Sequence, residues 1–422
     1  MVRIHFPKPR YHQLRATLLL LISLSPYLLI SCGSKSHKQF DPSVVNFSAS
    51  CNPLFDNQLY PSLILANTTD VNSAEKNRLA PLIFSLSSPS NNAVLRIVID
   101  SSAFNYVTIL QEILPLRNHS YTFFPAIKWK YDRLRQNRQN QPLDLTVTCF
   151  INDEEVDIRN LHLSLRSVNE CPLSFKGDNI VDTRFLFAGY VNEDHPKIQQ
   201  ILTEILDQGI VSQFTGYQSS NKNAVSDQVF AVWYHTLLRG ISYSSISCTS
   251  NPSPRANVQH IRFFDEVFNT RQANCIDACV YLASILRKIG IRPVIFVEPC
   301  HAYLGYYTDK KKNTIATLET TITSWVNFPQ LRKNLDADGR LPQHDLDRIS
   351  KYLSQKQIDD YTSRRISTDD IFIAVARSLF DKASQYNQES YQANQQHFDD
   401  PAAITYQKLD IDLLRQHIQP IN

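Results

Sequence analysis

The sequence predicts an α+β protein, and three observations carry that expectation. Period-2 apolar stretches separated by Asn, Ser, Pro and Asp clusters fill residues 45 to 172. From Asp194 the apolar spacing turns helical. Between Asn274 and Thr321 the pattern runs helix, strand, strand, with a cysteine, a histidine and a carboxylate at the joints. At 422 residues, 43% hydrophobic and 20% charged, the chain can bury sizeable cores and disorder is not expected. A net charge of +3 argues against a dedicated nucleic-acid surface, and only 9 glycines leave no GxGxxG or phosphate-cradling loop.

The first fifteen positions carry Arg3, Lys8, Arg10 and Arg15 and no acidic residue, and an apolar run follows from Ala16 to Ile30. That order is a signal peptide over residues 1–31, too short and too interrupted by Pro26 to be a membrane span. Leu29-Ile30-Ser31-Cys32 resembles a bacterial lipobox, which implies cleavage before Cys32, a lipid on its sulfur, and residues 32–44 as an acylated tether. The expected location is the bacterial cell envelope, facing the periplasm or the cell surface. The alternative is an ordinary signal peptide with Cys32 incidental.

Residues 45–172 read as a β-sandwich of immunoglobulin type, from AVLRIVID, LDLTVTCFIN and VDIRNLHLSLRSV. Cys51 and Cys149 with Trp129 between them suggest a bridge, but their spacing is too long to rely on. Eight cysteines less Cys32 leave seven, an odd number, so at least one thiol stays free. Cys275 is the candidate, with Cys51, Cys149, Cys171, Cys248, Cys279 and Cys300 as possible partners or small buried side chains. Zinc on Cys275, Cys279, Cys300 and His301 lacks the usual ligand spacings.

Helices are expected from Pro196, with a stripe of Ile198, Ile201, Leu202, Ile205 and Leu206 stopped by Gly209, and from Asp227 to Arg239, stopped by Gly240. Trp233 on the second helix is either core packing or the lining of an acyl pocket. Beyond residue 331 a C-terminal helical extension to 422 is expected, with a capped helix from Ser367 through Ala383 and a final segment that docks on the core. Asn334, Asp336, Asp338, Gly339 and Asp345 match part of an EF-hand loop but read as a solvated turn.

The stretch from Asn274 carries the chemistry. Asn274 is a natural N-cap, Ala278, Cys279, Leu282, Ile285, Leu286 and Ile289 fall at helical spacing, and Gly290 supplies the stop. Cys275 therefore stands in a first turn, where free N–H groups and the positive dipole end favour a thiolate nucleophile. Val294 to Val297 and the run from His301 to Tyr307 read as strands, and the turn at DKKKN returns the chain into TIATLETT. A hairpin loop centred on Lys310 places Glu319 directly opposite His301, so the carboxylate can fix the imidazole while the other ring nitrogen faces Cys275. An even-length loop would bring Thr320 there instead.

These residues resemble the transglutaminase-like, papain-like superfamily over roughly residues 225 to 325. The order Cys275, His301, Glu319, the phrase GI-x-P after the helix, and HAY followed by ETT carry the likeness. Three departures stand beside it: Glu319 where Asp is more usual, Cys300 directly before His301, and Tyr303 where many members have Trp. The resemblance implies a papain-like transglutaminase-type core over residues 185–330, a helix packed on an antiparallel sheet. It also implies a Cys-His-Glu triad acting on peptide or protein amides without a cofactor. Water as acceptor would make a peptidase or amidase, an amine a transglutaminase. The competing expectation is an inactive envelope lipoprotein that binds or assembles through its β-sandwich. Oligomeric state stays open.

Overall fold

A computed structural model describes residues 45–66, 79–245, 249–400 and 403–421. The stretches expected to form a signal peptide (1–31) and a tether (32–44), with Cys32, and Cys248 lie outside these residues. The fold is mixed α and β, with several mainly antiparallel sheets.

The alternating stretches of the first part become β1 (Ser48–Cys51), β2 (Gln58–Leu59), β3 (Leu82–Ser87), β4 (Ala93–Ile99), β5 (Thr108–Leu114), β6 (Ser120–Phe123), β7 (Gln141–Ile151) and β8 (Glu154–Leu165). They form a three-stranded sheet, β1-β3-β6, and a five-stranded one, β2-β8-β7-β4-β5. The reason is visible in the periodicity: Leu95, Ile97 and Ile99 of β4 and Leu145, Val147, Cys149 and Ile151 of β7 all turn inward, onto the same core as Leu82 and Phe84 of β3. Cys51 and Cys149 are both free, buried thiols, pushed up to about 12 by burial. Cys171 and Cys279 are buried and free as well, and Cys275 and Cys300 are unbridged.

The chain then crosses between layers. β9 (Glu170–Lys176), β10 (Ile180–Asp182), β12 (Thr249–Ser253) and β13 (Ala256–His260) build one sheet in the order β10-β9-β13-β12, while β11 (Ser242–Tyr243) runs parallel to β14 (Gln272–Ala273). The helix Pro196–Asp207 buries Ile198, Ile201, Leu202 and Ile205, but Leu206 is exposed, because it lies one position past the stripe's 100° arc. Ala224–Arg239 ends at Gly240, whose φ of 73° is the left-handed stop the sequence suggested. Trp233 on that helix is fully buried and packs edge-on against Phe380, which makes it a core residue.

The sheet that matters is β17-β16-β15-β18, from β15 (Pro293–Glu298), β16 (His301–Tyr307), β17 (Ile315–Leu318) and β18 (Gln407–Asp410). β15 is central and covered on both sides, hence its unbroken apolar run. Ile295 and Val297 face the helix Cys275–Lys288, called the cysteine helix below. Val294, Phe296, Tyr303 and Tyr307 face the other way, onto Phe398 and Tyr391. Phe296 has ring centroids 5.0–5.1 Å from Tyr303, Tyr391 and Phe398, contacts each contributing about 0.5–1.5 kcal/mol beyond area burial.

The C-terminal part supplies more than appended helices. The helix opened by Ser367 and Asp370 continues past Ala383 to Asp399, as the long helix Thr368–Asp399. The sequence reading carried it only through Ala383; beyond that Phe398 packs on the sheet and Ser390 and Asn394 bond Glu298. β18 is a further surprise: the final segment does dock, but as the edge strand beside β15. Asp336 accepts from the backbone N–H groups of Asp338 and Arg340 in an exposed turn, but Asp345 is fully buried in the helix Gln343–Ile349, where it accepts from the Asn334 amide, so only Asp336 to Gly339 form the solvated turn expected there.

Candidate active site

Cys275 is the first residue of the cysteine helix, and its neighbours are held by a capping box. The Asn274 side chain accepts from the Asp277 N–H at 2.8 Å, and the Asp277 carboxylate accepts from the Asn274 N–H at 3.0 Å. Asp277 is fully buried, and Arg262 donates to it through its backbone N–H at 2.8 Å and its guanidinium at 2.7 Å. Burial pushes the Asp277 carboxyl above its ordinary value against these donors. Cys275 itself is half-buried, and its carbonyl accepts from the Thr320 hydroxyl at 3.4 Å.

His301 opens β16 after a tight turn in which Glu298 and His301 pair across the strands. Pro299 and Cys300 form that turn, and Cys300 takes a φ of 63°, a left-handed position that a side chain occupies at a cost of roughly 1–2 kcal/mol.

The structure brings Cys275, His301 and Glu319 together, by a register that differs from the expected one. β16 and β17 pair Leu304 with Leu318 and Tyr307 with Ile315, so the hairpin is centred on Lys311 rather than Lys310. Asp309 explains the shift: its carboxylate accepts from the N–H groups of Lys311, Asn313 and Thr314, and Lys312 turns left-handed at φ 63°. A slip of two residues keeps the same face. Glu319 is thus diagonal to His301, one place beyond the end of β17, where it caps a 3₁₀ turn, Thr320–Ser324.

The longer arm of Glu319 suits that diagonal. Its Oε2 lies 2.8 Å from His301 Nε2, while Oε1 accepts from the Thr321 N–H at 2.9 Å and the Thr321 hydroxyl at 2.7 Å. Its own N–H donates to the Ala383 carbonyl of the long helix at 3.0 Å. Burial raises the carboxyl, but the His301 hydrogen bond and charge and the Thr321 donors outweigh it, so the group stays below its usual range. His301 is pushed up to about 10, first by its hydrogen bond to Cys275 and then by that to Glu319. With Nε2 taken by the carboxylate, the other ring nitrogen is the one left for the thiol.

Two contributors escaped the sequence reading. Asp277 was readable, since Asn and Asp three apart at a helix start are a capping box. Tyr243 was not: the parallel β11–β14 pairing sets it opposite Ala273, beside the cysteine, where burial, and after it the nearness of Cys275 and Glu319, raises its phenol. Among the described residues, no group of three or more His, Cys, Asp or Glu side chains is placed to hold a metal, and no helix is long and apolar enough to cross a membrane. The chain matches no family model and no curated protein.

Proposed function

We propose that the protein is a cell-envelope lipoprotein with a transglutaminase-like, papain-like cysteine acyl-transfer domain, acting on peptide or protein amides and carried by an immunoglobulin-like β-sandwich. The observation that supports it is the hydrogen-bonded line from Cys275 through His301 to Glu319, with the cysteine at a helix start.

In this reading Cys275 Sγ attacks the amide carbon, forming a C–S bond, and the oxyanion is met by first-turn N–H groups of the cysteine helix. The C–N bond then breaks and His301, charged beside Glu319, gives its proton to the leaving amine. Water or a second amine, deprotonated by His301, adds to the thioester, the C–S bond breaks and the thiol is restored. Glu319 holds the ring in place and balances its charge. An inert Cys275 would turn the reading to a binding lipoprotein.

The test is a set of covalent probes on the purified protein: a peptidyl electrophile should label Cys275 and no other thiol, and peptides supplied with and without a free amine should reveal the acceptor. A chain that labels nowhere, or only at Cys300, contradicts the proposal.

A further inference from the structure

The 3₁₀ turn capped by Glu319 ends at Trp325, and there a cavity of about 460 Å³ opens, lined by Trp325, Lys351, Tyr352 and Lys382. Every charged group lining it is a cation. Lys351 and Lys382 hold their ammonium groups 5.1 and 5.6 Å from the Tyr352 ring centroid, and neither forms an ion pair among the described residues. Trp325 is 55% exposed, an unusual state for the largest apolar side chain. Two unneutralised ammonium groups converging on one aromatic, beside an open indole, favour an anion that also carries a flat or apolar part.

The cavity belongs to the same scaffold as the triad. Lys382 directly precedes Ala383, whose carbonyl accepts the Glu319 N–H, and Trp325 terminates the turn that Glu319 begins. Ligand held there rests on the same 3₁₀ turn and long helix that anchor Glu319.

We infer that this cavity is a recognition subsite for a carboxylate side chain of an acidic peptide, with the lysines meeting the carboxylate and Trp325 covering the neighbouring backbone. The assignment of the occupant as substrate rests on the acyl-transfer reading above. The binding surface itself does not.

The experiment uses the full-length protein carrying Cys275→Ala and two fluorescent pentapeptides, one with two glutamates between glycines and one with glutamines in their place. The glutamate peptide should bind, with affinity falling about tenfold for Lys351→Gln or Lys382→Gln and further for the pair or for Trp325→Ala, while the glutamine peptide binds weakly throughout. Equal binding of the two peptides, or binding indifferent to the lysine changes, overturns the inference. So does inorganic phosphate binding that depends on the lysines without any preference for the glutamate peptide. Both lysines are exposed, so the variants should fold; iodoacetamide labelling of Cys275 in the otherwise native chain should be unchanged by them. An inert Cys275 with lysine-dependent peptide binding would remove the acyl-transfer reading and leave the subsite. A reactive Cys275 with lysine-independent binding would do the reverse.

Discussion

His301 and Glu319 are hydrogen-bonded at 2.8 Å although they stand two places out of cross-strand register. The pairing survives because a shift of two preserves the face and because Glu, with one more methylene than Asp, reaches along the diagonal. Thr321, donating twice to the other carboxylate oxygen, keeps that arm from swinging away. The longer carboxylate arm is therefore matched to the diagonal placement of the two residues.

Glu319→Gln should slow electrophile labelling of Cys275 by about ten- to a thousandfold, because shape and one accepting oxygen remain while the charge is lost. Glu319→Asp should also slow labelling, since the shorter arm does not span the diagonal. Full activity in Glu319→Asp would show that the diagonal reach is immaterial. Rates are read by stopped aliquots and mass spectrometry of the Cys275 peptide.

Cys275→Ala should abolish labelling by a peptidyl electrophile, and His301→Ala should cost nearly as much, since residues acting as one unit are lost together. Residual labelling in Cys275→Ala above background would place the reactive thiol elsewhere, with exposed Cys300 the first to examine.

The pH dependence has a definite sign. His301 is raised from an ordinary 6.5 to about 10, so the stability it contributes is fully present below 6.5 and is lost as pH rises through about 10. Glu319 is lowered, so its contribution is present above its ordinary 4.5 and is lost as pH falls below that. Thermal unfolding of the native chain should show both limbs, and His301→Gln should remove the alkaline one. The alkaline limb of peptide turnover should likewise fall near pH 10, as the imidazolium that protonates the leaving amine disappears. An alkaline limb identical in His301→Gln contradicts the assignment.

Asp277→Ala should destabilise the protein by about 3–5 kcal/mol, because it strands Arg262 and removes the carboxylate half of the capping box while the Asn274 cap remains. Urea unfolding measures this. A change under about 1 kcal/mol would mean that the buried pair and the box contribute little. Cys300→Gly should have the opposite tendency, relieving a left-handed residue worth roughly 1 kcal/mol while leaving Cys275 labelling intact.

Much of this was legible from residues alone, for physical reasons that differ by element. β4 and β7 follow from strict alternation, and the cysteine helix from its cap, stripe and glycine stop, so local rules sufficed. The three site residues were found because each sits at an element boundary. The hairpin register was not, because it depends on how the Asp309 carboxylate draws three N–H groups into the turn. β18 and the second half of the long helix were also missed. Their sequences are polar, and what fixes them is tertiary: pairing with β15 and the bonds of Ser390 and Asn394 to Glu298. Tyr243 reaches the site only through the pairing of two short strands whose partners are far apart in the chain.

The most direct test of the central claim is the pH profile of iodoacetamide alkylation, followed separately at Cys275 and Cys300 by peptide mass spectrometry. A cysteine paired with His301 at a helix start should be alkylated rapidly well below about pH 8, ahead of Cys300, and should lose that advantage in His301→Ala. Labelling of Cys275 that rises only above about pH 8, in step with Cys300 and indifferent to His301, would contradict the account.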